Sequence, residues 1–323
     1  MDRRFFVRCG AATIAAAMAP QSWAQATFPS RSITLVVPFA PGGGGDTVAR
    51  LLAKGLGERF DKPVVVENRP GASGNIGAAL VLKAPPDGHT LLNLSSTYAI
   101  QAAVGNPGYD SINGMQPIML VARDPVVLIV HPAAPWRDAR QLAQAAEKSP
   151  GKISHGSSGA ASIAHMAMEE LAYRMGVQLL HVPYKGSSAA LTDLMGQSVD
   201  LVLTTVTFAA PQIRSGKVRA LGVSGTQRLR SLPDVPTFAE QGWPEYQVFD
   251  WKAVAGPKGI PPDVAARLNR ELNAVLKQPA IVERFEAEGT QLVGGPPEQL
   301  LEVVRGDIER WKRLVANAKI KIE

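Results

Sequence analysis

The amino-acid sequence predicts an α/β fold with largely parallel sheets, because two kinds of hydrophobic pattern alternate along it. Short segments rich in β-branched residues, typical of strands, are followed by amphipathic segments with the helical period. The last 60 or so residues instead contain three helix patterns in succession. This order predicts strands joined by helices, with the closing helices packed against the first domain.

The elements can be placed from these patterns. The predicted strands are Ile33–Val37, Val64–Val66, Leu91–Leu94, Val126–Val130, Leu201–Leu203 and Ala220–Val223. In the first amphipathic segment, Val48, Leu51, Leu52 and Leu56 fall on one face of a helix. The closing helices are predicted over Pro262–Leu276, Pro279–Glu288 and Pro296–Ala316, each with a proline near its first turn, where the missing N–H leaves no helical bond unmade.

The N-terminus has the layout of an export signal. Arg3 and Arg4 precede a short apolar run, and the sequence up to Ala26 ends in a small-x-small pattern. The paired arginines are similar to the twin-arginine pattern. We therefore expect residues 1–26 to be a signal peptide, cleaved near Ala26, and the mature protein to be periplasmic. The apolar run is shorter than the roughly 20 residues that a membrane-spanning helix needs.

Composition argues against several classes of function. Removing residues 1–26 lowers the formal net charge from +6 to +4, since three arginines and one aspartate are lost, and the other basic residues are scattered. We therefore expect no nucleic-acid partner. Cys9, the only cysteine, lies in the predicted signal, and the five histidines lack the spacing of a zinc site. Neither a metal site nor a cofactor is predicted.

A glycine-rich loop between the first strand and the first helix is the sharpest local feature. It runs from Phe39 to Asp46 and contains four consecutive glycines. Glycines allow close approach of a ligand, and N–H groups at a helix N-terminus favour a carboxylate or phosphate. The candidate ligand-binding residues are Phe39, Ala40, Gly42, Gly43, Gly44 and Asp46. The alternative is a flexible turn, with Asp46 as the helix cap.

A second loop of the same kind spans Ser154 to Ser162, again between a strand and a helix. Its candidate ligand-binding residues are Gly156, Ser157, Ser158 and Ser162. Two helix N-termini in separate halves of the chain would suit a ligand held in a cleft between domains. An ordinary turn is the alternative. A second alternative is a serine hydrolase using Ser157 or Ser158, although the segment is one glycine short of a nucleophile elbow and has no clear base.

Several separated motifs add a resemblance that runs from about Arg31 to the C-terminus. They are the glycine-rich loop, Val65–Ala78, Pro85–Leu91, His181–Gly186, Leu232–Gly242, and Trp251 followed by Gly256–Pro261. Together they resemble the substrate-binding proteins of tripartite tricarboxylate transporters, often called Bug proteins. The resemblance implies a type II periplasmic-binding-protein fold with two α/β domains, one of residues 27–131 with 252–323 and one of 132–251. It also implies a carboxylate ligand in the interdomain cleft. Since the Ser157–Ser158 segment has neither a complete nucleophile elbow nor a clear base, we expect no enzyme activity.

The resemblance adds further expectations. Ser96, Thr97, Thr205 and Thr207 become candidate cleft residues that tune selectivity. The implied partners are a small carboxylate and the membrane permease subunits of such a transporter. No heptad or long apolar face in the sequence argues against a monomer, so we expect one. A ligand sensor for a membrane signalling partner is the alternative output. Ala161 departs from the glycine that the family commonly has before Ser162, and we expect its methyl group close to the anion contacts.

Overall fold

The computed structural model describes residues 28–105, 107–287, 289–318 and 320. The predicted signal peptide lies outside them. The strands are β1 (Ile33–Val37), β2 (Val64–Asn68), β3 (Thr90–Ser95), β4 (Met115–Val130), β5 (Ser154–Ser157), β6 (Leu180–Pro183), β7 (Leu201–Thr205), β8 (Arg219–Val223), β9 (Phe249–Pro257) and β10 (Gln291–Leu292). The helices are α1 (Gly44–Phe60), α2 (Asn75–Leu82), α3 (Ser96–Val104), α4 (Ala139–Lys148), α5 (Ile163–Met175), α6 (Ser187–Met195), α7 (Val206–Arg214), α8 (Pro262–Leu276), α9 (Pro279–Ala287) and α10 (Glu298–Ala318).

The strands form two sheets that share β4. In the first sheet β1 lies parallel to β2 and β3, and β9 pairs antiparallel with both β3 and β4. In the second, β5 lies parallel to β6 and β7, while β4 pairs antiparallel with β7 and β8. The α/β prediction is confirmed. The sheets are mixed rather than largely parallel, because the connecting strands β4 and β9 run against their neighbours.

Strand β4 carries the chain from one sheet to the other. Its residues up to Pro125 pair with β9, whereas Val126–Val130 pair with β7 and β8. The part from Val126 to Val130 reads as an unbroken apolar run because both of its faces are buried: Val126 and Leu128 pack into one core cluster, and Val127 and Ile129 into another. We refer to the unit built on the first sheet as lobe 1 and to that built on the second as lobe 2.

The closing helices lie where the proline pattern predicts, and the last one joins the two lobes. Helix α8 has the predicted bounds, and α10 begins two residues after the predicted start. Leu300 and Val304 of α10 pack into a core cluster of lobe 1, whereas Trp311 packs into one of lobe 2. None of the helices within the described ranges is both long enough and apolar enough to cross a lipid bilayer.

Candidate ligand-binding site

A cavity of about 240 Å³ lies between the lobes, where several strands end and helices begin. Eight of the residues predicted from sequence line it: Phe39, Ala40, Gly43, Gly44, Asp46, Thr97, Ser158 and Thr205. The structure adds residues that sequence reasoning missed: Gly45, Asn93, Ser95, Val126, Ile163, Ala164, Lys185–Ala189, Thr204, Asp250 and Lys252. Both lobes therefore contribute to one site.

The N-terminus of α1 opens onto this cavity without a side-chain cap. Gly43 is the N-cap residue, and no described side chain accepts a hydrogen bond there. The N–H groups of the first turn have no partner inside the helix, so they are available to an anion. A Cβ atom on Gly44 would lie 2.8 Å from Oγ1 of Thr205 in lobe 2. Only glycine at position 44 lets the two lobes approach this closely.

Asp46 is fully occupied by other groups. Its carboxylate accepts hydrogen bonds from Gly42 N (3.0 Å), Arg50 Nε (2.9 Å) and Asn68 Nδ2 (2.9 Å). Burial raises the pKa of Asp46, but the bonds from Arg50, Gly42 and Asn68 together outweigh it and hold the pKa below its ordinary value. Asp46 thus ties the loop to the helix by bonding Gly42, which precedes the cap residue, and its charge is paired before an anion arrives.

Three other helix N-termini near the cavity are already occupied by the protein. Oδ1 of Asp250 accepts from Ser96 N (3.2 Å) at α3, and Oδ1 of Asp124 from Thr207 N (3.4 Å) at α7. At α5, Ser162 Oγ accepts from His165 N (3.2 Å) and Thr97 Oγ1 of lobe 1 from Ile163 N (3.1 Å). Ser96, Ser162 and Thr207 do not line the cavity. Their hydroxyls instead bond inside the protein, to Asp250, His165 and Thr290 respectively.

Helix α6 provides a second uncapped N-terminus. Its N-cap residue is Gly186, without a side-chain hydrogen bond, and the segment Lys185–Ala189 lines the cavity. A Cβ on Gly186 would lie 3.4 Å from Cβ of Ala40, so this turn directly faces the glycine-rich loop. The signal that could have identified it is the motif His181–Gly186, a strand followed by a glycine turn and a helix.

Gly42, Gly156 and Ser157 lie outside the cavity. Gly156 packs within lobe 2 against Tyr184 and Val202. Ser157 is fully buried, with its Oγ 2.7 Å from Nε2 of His181. A serine paired with an imidazole is the arrangement a hydrolase would use, but this hydroxyl lies in the interior of lobe 2 and not at the cavity surface.

Three histidine rings stack behind the second loop. The ring centroids of His165 and His181 are 3.6 Å apart, and His155 lies 5.0 Å from His181. Burial, with a further contribution from the neighbouring histidines, lowers the pKa of His165 to about 3 and that of His181 to about 4. The rings of His165 and His181 are therefore neutral over the physiological range and act as packing groups.

Buried charges that we call the floor cluster lie at the floor of the cavity: Asp250 and Lys252 line it, and Asp124 is buried beyond the lining. Asp124 and Asp250 are cross-strand partners on β4 and β9, and all three residues are at least 97% buried. Lys252 Nζ donates to Asp250 Oδ2. Burial raises the pKa of Asp124 to about 6, since the attraction of Lys252 offsets only part of the desolvation.

Direct hydrogen bonds join the lobes beside the cavity. Ser73 Oγ donates to the carbonyl of Ala160 (2.6 Å), and Gln101 Nε2 donates to the carbonyls of Ala160 and Ala161 (both 3.2 Å). Ala161 has φ +52°, a conformation that glycine adopts more easily. Contrary to our expectation, Ala161 does not line the cavity but packs into the lobe 2 core.

Comparison with known proteins agrees with this geometry. The family described as tripartite tricarboxylate transporter family receptor matches residues 48–320. A relative from Pseudomonas sp. (strain P51), the UPF0065 protein in the tcbD-tcbE intergenic region, is 42% identical over 91% of this chain and 88% of its own.

Three solved structures are also similar. The periplasmic binding protein BugD is 35% identical with a TM-score of 0.87, over 92% of this chain and 100% of its own. R. palustris Rpa4515 with adipate is 33% identical, with a TM-score of 0.87, over 91% and 99% of the two chains. MatC from Rhodopseudomonas palustris with bound malate is 32% identical, with a TM-score of 0.83, over 89% and 100%. The fold is thus that of periplasmic binding proteins, and the chain belongs to the tripartite tricarboxylate transporter receptor family, which includes the Bug proteins.

Proposed function

We propose that this chain is an exported solute-binding protein that captures a small carboxylate in the cleft between its lobes and presents it to the permease of a tripartite tricarboxylate-type transporter. The observation that carries the proposal is the uncapped N-terminus of α1, which opens onto a cavity shared by both lobes. Two neighbours with bound adipate and malate support a carboxylate as the ligand class. Neither a cofactor nor a catalytic step is part of the proposal.

The mechanism is capture followed by closure. A carboxylate first binds the N–H groups of α1 in lobe 1. Lobe 2 then adds the N-terminus of α6, Lys185, and the hydroxyl of Thr205, which is 7% exposed and has no hydrogen-bond partner among the described residues. Rotation of the lobes would occur about β4 and β9, between the units 27–131 with 252–323 and 132–251. The permease would recognise the closed form.

The alternative output, a sensor for a membrane signalling partner, uses the same site. A permease is favoured by the family of this chain. Co-purification from membranes would identify which partner binds the closed form of the protein, and gel filtration tests the proposal of a monomer.

A thermal-shift screen of the chain from Thr27 onward should show stabilisation by a small carboxylate but not by its amide. The helix N-terminus stabilises a negative charge, and the amide does not carry one. At a ligand concentration about 100-fold above Kd the gain is about 2.7 kcal/mol, or roughly 5 °C in Tm for a chain of this size. Equal shifts with an acid and its amide would contradict the proposed anchor.

Replacing Ser73 with alanine should weaken binding about fivefold without lowering the Tm of the free protein. The variant loses the 2.6 Å hydrogen bond to Ala160, and one such bond contributes about 1 kcal/mol. The bond joins the lobes, so its loss should appear mainly as faster ligand release in stopped-flow measurements. Ser215→Ala is the matched control, because Ser215 Oγ bonds only to Gln212 on the same helix end. Equal ligand-release rates for Ser73→Ala and Ser215→Ala would show that the hydrogen bond of Ser73 to Ala160 does not hold the lobes together around the ligand.

A further inference from the structure

The cavity is chemically divided between donors and acceptors. Its walls present hydrogen-bond donors: the N-termini of α1 and α6, the hydroxyl of Thr205 and the ammonium of Lys185. Its floor, formed by β3 and β9, instead presents the amide of Asn93 and the ion pair of Asp250 with Lys252. A carboxylate alone uses only the walls. The groups on the floor therefore indicate which further substituent the ligand carries.

Asn93 on β3 supplies one acceptor without a partner. This residue lines the cavity and is 98% buried. Its Nδ2 donates to the carbonyl of Gly45 at 3.2 Å, which fixes the orientation of the amide because only the nitrogen can donate to a carbonyl. Oδ1 is then left without a hydrogen-bond partner among the described residues. A buried acceptor in this state is destabilising unless a donor reaches it.

The floor cluster supplies an uncompensated negative charge. Asp124 and Asp250 lie opposite each other on β4 and β9, and Lys252 is the only described cation that forms an ion pair with either of them. Asp250 is satisfied by Ser96 and Lys252, but Oδ2 of Asp124 has no described partner. With both carboxylates ionised, the cluster has a net charge of −1. Burial raises the pKa of Asp124 to about 6, and the attraction of Lys252 offsets only part of this effect.

We propose that the ligand carries an ammonium group in addition to its carboxylate, and that this ammonium faces Asn93 and Asp250, with the charge of Asp124 buried beyond the cavity lining. The carboxylate would lie on the N-terminus of α1, whose Gly45 is bonded to Asn93, so the donor belongs on a carbon near the carboxylate. A second carboxylate placed at the floor would meet the acceptor Oδ1 of Asn93 and a floor cluster with a net charge of −1, which is unfavourable. A hydroxyl would satisfy Asn93 but not the charge. The inference rests on the proposed function and specifies its ligand as an aminocarboxylate.

Isothermal titration calorimetry with matched acids tests this inference directly. Each series keeps one carbon skeleton and changes a single substituent from hydrogen to hydroxyl to ammonium: propionate, lactate and alanine; succinate, malate and aspartate; glutarate, 2-hydroxyglutarate and glutamate. In the series that fits the cavity, we expect the amino acid to bind at least tenfold more tightly than the unsubstituted acid, with the hydroxy acid between them.

Two variants assign the preference to the floor. Asn93→Leu should reduce the ratio of affinities for the amino acid and the unsubstituted acid at least fivefold. Asp124→Asn, which keeps the side-chain shape, should do the same and serves if Asn93→Leu does not fold. Asn113→Leu is the matched control, because Asn113 is exposed and lies in a turn bonded to Asp110.

The outcomes separate this inference from the function on which it rests. If an unsubstituted acid or a hydroxy acid binds as tightly as the amino acid in every series, the inference is wrong while carboxylate capture stands. If both variants keep the wild-type preference for the amino acid, the floor residues do not recognise the ammonium group and the inference is wrong. If no carboxylate of any series or of the wider screen binds, the proposed function fails and the inference fails with it.

Discussion

Replacing Gly43 with phenylalanine is expected to lower carboxylate affinity at least about 100-fold while leaving the Tm of the free protein within about 2 °C. Gly43 has φ −81° and ψ 170°, an extended conformation open to any residue. A Cβ there would have no neighbour closer than 4.0 Å, so the ring grows into the cavity and not into the core. Covering the N–H groups of α1 removes two or three charge-assisted bonds, or about 3 kcal/mol.

The control for this variant lies on the same helix. A Cβ on Gly57 would make only an ordinary contact, 3.6 Å from the carbonyl of Lys62, and Gly57 does not line the cavity. Gly57→Ala should therefore leave affinity unchanged. Calorimetric affinities and melting curves of both variants decide the point: normal affinity in Gly43→Phe would mean that the carboxylate does not bind at α1.

Acidification from pH 6 to pH 4 is expected to destabilise the protein through its buried histidines. The pKa of His165 is lowered from an ordinary 6.5 to about 3. The unfolded chain therefore binds a proton below pH 6.5 that the folded protein does not, and stability falls by about 1.4 kcal/mol per pH unit for this group. His181, with its pKa lowered to about 4, acts in the same direction.

Asp124 opposes this effect in part. Its pKa is raised from 3.8 to about 6, so the folded protein binds this proton first, and the resulting stabilisation is lost as the pH rises through 6. Between pH 6 and pH 4 the destabilisation by two histidines exceeds the stabilisation by one aspartate. The free energy of unfolding therefore falls by a net amount of about 1.4 kcal/mol for each pH unit of acidification.

Urea unfolding of wild type and His165→Gln at several pH values isolates the histidine. The variant should lose about 1.4 kcal/mol less per pH unit, or roughly 3 kcal/mol less between pH 6 and pH 4. The free energies of both proteins at pH 7.5 provide the reference, because His165 is neutral there in either state. If the free energy of unfolding changed equally with pH in the two proteins, His165 would not contribute to the acid sensitivity.

Much of the fold and one half of the site follow from local sequence. The glycine-rich loop was predicted as a ligand site because strand, glycines and helix are contiguous, and the resulting helix N-terminus needs no distant partner to exist. The closing helices were predicted with nearly correct bounds for the same reason: prolines and periodicity act within one element. Of the long strand β4 only Val126–Val130 is predicted from sequence, since the part from Met115 to Pro125 contains polar residues and prolines that become a strand by pairing with β9.

By itself, the sequence determined the alternation of strands and helices, the presence of helix N-termini directly after small-residue loops, and the family to which the chain belongs. Only the tertiary structure decided which of those N-termini remain free. Asp124 and Asp250 occupy α7 and α3, and Thr97 contributes to the cap of α5, through contacts that span 66 to 154 positions. The floor cluster is likewise a product of cross-strand register between β4 and β9. The physical reason is that a helix forms from local periodicity, whereas the capping of its end and the pairing of a buried charge depend on which distant side chain the sheet brings within hydrogen-bond distance.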